Sequence, residues 1–150
     1  MPKGVKKKYI ELKIGSARHL PAMDPNRKSD PFVRVKLDGK HIAKTSIVNK
    51  NRFPVWNESF KFDLDGPFHT FVLDVEDDDI SKNDLIGRVT VQVAELAIVK
   101  GRKIIGWQPI LCDDSPCTVT RQVQENDGDM AVSAKNMKSK IYIEIRYIGE

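Results

Sequence analysis

The 150-residue sequence predicts an all-β fold, an antiparallel β-sandwich of about eight short strands. Three observations lead there. Apolar residues recur with period two along most of the chain, which is the alternation of half-buried strands. Pro, Gly, Asn and Asp interrupt these runs at short intervals. Helical periodicity is confined to a turn or two.

The elements follow in order. Ile10, Leu12 and Ile14 alternate with Tyr9, Glu11 and Lys13, a first strand reaching Gly15; Val33, Val35 and Leu37 alternate with Phe32, Arg34 and Lys36. A strand is expected near Ala43 to Val48, and Phe60 and Phe62 lead another toward Leu64. Phe71, Leu73 and Val75 share one face, as do Val89, Val91 and Val93. Ile104 to Leu111, around Trp107, forms the next strand, and Ile141, Ile143 and Ile145 mark the last, which runs to Ile148. The one helical turn expected crosses Ala94 to Lys100 and closes at Gly101. Residues 112–138 are polar and carry Ser115-Pro116 and Asn126-Asp127-Gly128, so they read as a long insertion before the last strand. It is either without order or adds a small strand at Thr118 to Gln124. Trp56 and Trp107 fit strand interiors and are expected in the core.

Composition frames the function. With 40% hydrophobic and 31% charged residues, the chain is expected to be one soluble domain spanning residues 1–150. No apolar stretch approaches the roughly 20 residues of a membrane span, and Met1 to Lys8 is basic with no apolar run behind it. A cytoplasmic protein is expected. Cys112 and Cys117 are too few for a disulfide framework or a zinc site and read as two reduced thiols. His19, His41 and His69 share no spacing, no nucleophile or phosphate-loop motif occurs, and catalysis is not expected.

Charge is more telling. The net charge is +4, yet acids bunch in two places: Asp24 and Asp30, then Glu76, Asp77, Asp78, Asp79 and Asp84. Both lie where a strand pattern stops. Calcium takes roughly six to eight oxygen ligands at about 2.3–2.6 Å in irregular geometry, so loops crowded with short Asp side chains suit it. A solvated loop tip is the competing reading of Asp77 to Asp79 alone. An EF-hand is excluded, because a loop beginning at Asp77 puts Lys82 where Gly is needed and Arg88 where the bidentate Glu belongs.

The sequence resembles the C2 domain family, the calcium- and phospholipid-binding β-sandwich, over nearly its whole length. The resemblance rests on Ala17 to Leu20 followed by Asp24, Ser29-Asp30-Pro31-Phe32-Val33, Lys44-Thr45, and Phe53-Pro54-Val55-Trp56-Asn57-Glu58 before Phe60. It continues through Val75-x-Asp77-x-Asp79 and Asp84-Leu85-Ile86-Gly87. It implies an eight-stranded antiparallel Greek-key sandwich. One strand before Asp24 and one after the insertion imply the circularly permuted, type II arrangement.

The resemblance also implies two or three calcium ions held by Asp24, Asp30, Asp77, Asp79 and Asp84, with the carbonyls of Met23 and Asp78 as further ligands. Counting back from Gly87 offers Glu76 and Asp78 instead. Asp77 and Asp79 are preferred because they continue the inward alternation of Leu73 and Val75. Calcium then cancels the carboxylate charge and lets the tip meet an anionic phospholipid membrane, so that recruitment follows a rise in calcium. Arg27, Lys28 and Lys82 would meet headgroups and Ile80 would dip into the interface.

A second lipid site, of the kind the family uses for phosphoinositides, falls on Arg34, Lys36 and Lys44. A plain solubilising face competes with it. A calcium-independent protein-interaction module and a regulatory domain of a larger signalling protein are the alternatives. A protein partner fits either. Nucleic acid is not expected, because the basic residues lack interleaved stacking aromatics.

Overall fold

The computed structural model describes residues 9–21, 30–63, 68–79, 83–94, 103–113, 115–124 and 132–148. Every regular element among them is a β-strand. In chain order these are β1 (Tyr9–Arg18), β2 (Pro31–Leu37), β3 (Lys40–Lys44), β4 (Val55–Asp63), β5 (Phe68–Asp77) and β6 (Asp84–Ala94). They continue with β7 (Ile104–Pro109), β8 (Leu111–Cys112), β9 (Ser115–Pro116), β10 (Thr118–Gln124), β11 (Val132–Lys138) and β12 (Lys140–Ile148). The helical turn expected across Ala94 to Lys100 falls, from residue 95 on, outside the described residues.

Two antiparallel sheets face each other. One has the order β4-β1-β12-β7 and the other β3-β2-β5-β6-β8-β9. The first strand lies beside the last, as the type II arrangement requires. Ile10, Leu12 and Ile14 from β1 and Ile141, Ile143 and Ile145 from β12 turn inward, meeting Val33, Val35, Phe71, Leu73 and Val75 from the other sheet. Period two in the sequence thus becomes one shared core.

Three features depart from expectation, and a fourth is one of the two readings open for the insertion. The third strand is shorter than Ala43 to Val48 suggests: regular pairing stops at Lys44, while Thr45 and Val48 each donate a single backbone bond to β2, at 2.9 and 3.1 Å. The insertion takes the second of its two expected forms. Thr118–Gln124 forms the small strand, and it pairs in register with Val132–Lys138 as a two-stranded ribbon.

Cys112 and Cys117 are not free thiols but form a disulfide, with their Cα atoms 5.1 Å apart. The hairpin pairing of β8 with β9, Cys112 opposite Ser115, brings them together. Trp107, finally, is 36% exposed rather than buried. It stands opposite Tyr142, and since Ile141 and Ile143 take the inward positions of β12, both rings are turned out.

Candidate functional site

Three strand ends converge at one end of the six-stranded sheet. Asp30 immediately precedes β2, Asp77 closes β5 and Asp84 opens β6. Register places Pro31 opposite Asp77, and Asp77 opposite Asp84. Neighbouring strands lie about 4.8 Å apart, so carboxylates distant in sequence become near neighbours.

Backbone bonds tie this end together. The Asp30 N–H donates to Asp77 Oδ1 at 2.8 Å, and the Asp78 N–H donates to the Asp30 carbonyl at 2.9 Å. The Lys50 N–H donates to Asp30 Oδ1 at 2.6 Å, which brings the loop between β3 and β4 into the cluster. The two that end on a carboxylate oxygen are charge-assisted, and such bonds are about twice as strong as neutral ones. They set where the Asp30 and Asp77 carboxylates sit.

The choice within the acidic run turns on strand alternation. Asp77 is 4% exposed and follows Leu73 and Val75 inward, whereas Glu76 points to the other face and forms an ion pair with Arg34 at 2.7 Å. Asp78 is half-buried and Asp79 exposed. Glu76 is therefore committed to a partner away from the cluster.

Met23, Asp24, Arg27, Lys28, Ile80 and Lys82 lie outside the described residues. Among the described residues, no three His, Cys, Asp or Glu side chains gather tightly enough to hold a metal between them. The donor chemistry still fits a hard cation, since Asp30, Asp77, Asp78 and Asp84 offer carboxylate and carbonyl oxygens at these strand ends. A carboxylate has about four lone-pair sites, so one backbone bond does not exhaust it.

The basic strand is less basic than its sequence. Lys36 lies 3.1 Å from Asp74 and Arg34 is paired with Glu76, both acids being contributed by β5. Asp74 also accepts from Arg88, at 2.6 and 3.3 Å. Burial alone would raise the Asp74 pKa, but Arg88 and then Lys36 outweigh it and hold the carboxyl below its ordinary range; Asp74 in turn raises Arg88. Lys44 is exposed at the sheet edge, opposite Arg34. Sequence spacing gives no sign of Arg88 or of these acidic partners, because only strand register reveals them.

A four-plus-six-stranded sandwich with acidic turns at one end defines a C2-type fold. The C2 domain model matches residues 8–110, and the chain belongs to the C2 domain family. The match ends before the ribbon and β12. The chain is 37% identical over 108 residues to human Ras GTPase-activating protein 4B, covering 71% of this chain and 13% of that protein. It is 42% identical over 103 residues to a C2 and GRAM domain-containing protein of Arabidopsis thaliana, covering 67% of this chain and 10% of that one.

The chain thus spans only about a tenth to an eighth of the length of these curated relatives. Among solved structures, a C2 domain of plant extended synaptotagmin 1 aligns with a TM-score of 0.66 at 21% identity, covering 95% of each chain. At such an identity this likeness speaks to the fold alone.

Proposed function

We propose that this C2 domain docks on anionic phospholipid membranes when calcium binds its acidic end, and so acts as a membrane-targeting or adaptor module. Asp24, Asp30, Asp77, Asp79 and Asp84 are assigned the carboxylate ligands, with the Met23 and Asp78 carbonyls completing the shell of two or three ions. The observation that carries this reading is the convergence of Asp30, Asp77 and Asp84 on adjacent strand ends, locked by the bond from the Asp30 N–H to Asp77 Oδ1.

Electrostatics supplies the mechanism. A cluster of carboxylates repels a negatively charged leaflet and is itself strained by like charge. Two calcium ions would offset most of five negative charges and leave coordination positions for lipid phosphate. Arg27, Lys28 and Lys82 are assigned to headgroups and Ile80 to the interface, with the protein held peripherally. No helix among the described residues is long and apolar enough to cross a membrane.

Residues 1–150 are read as one domain with the ribbon built in, because β12, beyond the insertion, pairs with both β1 and β7 in the same sheet. The calcium-independent phosphoinositide reading through Arg34, Lys36 and Lys44 is weaker, since two of those cations already face Asp74 and Glu76. Full-length relatives in which such a domain is a small part favour a regulatory role within, or alongside, a larger protein. Co-sedimentation with phosphatidylserine vesicles tests the proposal. Pelleting should require calcium and vanish in Asp77→Asn/Asp79→Asn; wild-type protein left in the supernatant at millimolar calcium would end it.

A further inference from the structure

The outer face of the β4-β1-β12-β7 sheet carries an aromatic and cationic belt that the calcium mechanism does not use. Alternation along β12 turns Tyr142 outward, and register sets Trp107 opposite it and Arg18 opposite Lys140. The two rings meet edge to face with centroids 5.6 Å apart. The Arg18 guanidinium lies 4.7 Å from the Trp107 ring centroid and the Lys140 ammonium 5.1 Å from it. Trp107 therefore lies within cation–π reach of both charges while remaining 36% exposed.

The charge here differs from that on the other sheet. Arg34, Lys36 and Arg88 each face a carboxylate within ion-pair distance, but among the described residues Arg18 and Lys140 face none. The nearest outward acid on β12, Glu144, is already engaged by Arg146, by the Tyr142 hydroxyl at 3.3 Å and by Lys13 at 4.0 Å. Exposed apolar side chains share the sheet: Val55, opposite Ser16, is 61% exposed, and Ile105, two residues before Trp107, 48%. Cation, aromatic ring and aliphatic side chain thus occur together on one face.

Position matters as much as chemistry. Arg18 ends β1, the strand whose following segment returns to Asp30, and Trp107 lies two residues, roughly 7 Å, from the end of β7. The Ser139 hydroxyl donates to the His19 carbonyl at 2.5 Å, fixing the start of β12 against the end of β1. The belt therefore flanks the end of the sandwich that bears the acidic turns.

We propose that this belt is a second contact with the same anionic phospholipid surface. Arg18 and Lys140 engage lipid phosphate, Trp107 and Tyr142 lie at headgroup depth, and the sandwich leans toward its four-stranded sheet instead of standing upright on its loops. The inference rests on the membrane-docking reading above. Amphipathic aromatic rings concentrate at membrane–water interfaces, and each Lys or Arg near an anionic leaflet contributes about 1 kcal/mol, or roughly fivefold in affinity. Continuity with the acidic end favours a membrane over an acidic polypeptide as the occupant.

The test uses the full chain with calcium and phosphatidylserine vesicles containing brominated lipid, read by sedimentation and by tryptophan fluorescence together. Trp56, at 7% exposure, is the built-in buried reference. Vesicles should quench wild-type emission, and the quenching should disappear in Trp107→Phe, a surface change that leaves the core intact. Arg18→Gln/Lys140→Gln should weaken binding by at least tenfold, with an unchanged melting temperature showing that the variant is folded.

Full pelleting with no quenching, or with unaltered affinity in the double variant, would overturn the belt and leave calcium-dependent docking standing. Absence of pelleting in the wild type would overturn both. If Trp107 emission ignores vesicles but shifts on adding polyglutamate, the lipid assignment is wrong and the face belongs to an acidic protein partner.

Discussion

Gly87 offers the sharpest check on how the acidic end is held. A Cβ at this position would lie 2.4 Å from Ile110 Cγ2, 2.9 Å from Cys117 Sγ and 3.1 Å from the Leu111 carbonyl oxygen. None of these neighbours yields easily. Ile110 is fully buried, and Cys117 is both buried and bonded to Cys112. Adding a methylene-sized group to a packed core costs about 1–3 kcal/mol, and two rigid contacts below 3.0 Å place Gly87→Ala at roughly 2–3 kcal/mol.

For a chain of this size that is a melting-temperature drop of about 4–10 °C. Thermal and urea unfolding of Gly87→Ala, with the disulfide intact, reads it directly. Ile110→Ala removes the clashing atom, so the double variant should be more stable than the sum of the two single effects by about 1 kcal/mol or more. A melting temperature within about 1 °C of wild type, or strict additivity, would refute the packing of β8 and Ile110 over β6. Asp84 lies three residues earlier on the same strand, so this packing also positions a proposed calcium ligand.

Other expectations follow from single contacts. Asp74→Asn should lower stability by roughly 1–2 kcal/mol at pH 7, the value being limited by solvent screening of Lys36 and Arg88. Because the folded pKa of Asp74 is depressed, its contribution is present above the unfolded value near about 3.9 and is lost as pH falls through the lower folded value. Unfolding curves of wild type and variant should therefore draw together in acid, and a gap that widens there would contradict the pairing. Arg34→Gln/Lys36→Gln should change calcium-dependent vesicle binding by no more than about twofold, as those charges are already met by acids; a tenfold loss would restore that strand as a lipid site. Cys112→Ser/Cys117→Ser should cost up to about 2 kcal/mol through the lost short-loop constraint, measured by unfolding against the oxidised wild type. An unchanged midpoint would show that the bond contributes nothing.

Period-two alternation makes most strands legible without coordinates: inward Ile10, Leu12 and Ile14 and inward Ile141, Ile143 and Ile145 lie where the pattern puts them. What alternation cannot show is which strand stands beside which. The apolar segment around Trp107 predicts a core position, yet pairing with Tyr142 turns the ring to solvent. Arg34 and Lys36 read as a basic row because Glu76 and Asp74 belong to a strand some forty residues on. The cysteines read as thiols because a two-residue hairpin, β8 with β9, carries no periodic signal of its own. The same alternation selects Asp77 over Glu76, and Asp77 is the buried one of the two, next to Asp30.

Calorimetric titration of calcium into the wild-type chain and into Asp30→Asn, Asp77→Asn and Asp84→Asn, each with and without phosphatidylserine vesicles, puts the acidic end to the most direct trial. Saturable binding of two or three ions is expected in the wild type, tightened by vesicles because lipid phosphate completes the coordination, and lost or reduced to a weak residual in each variant. Wild-type protein that releases no binding heat and shows no rise in melting temperature at millimolar calcium, with vesicles present, would contradict it.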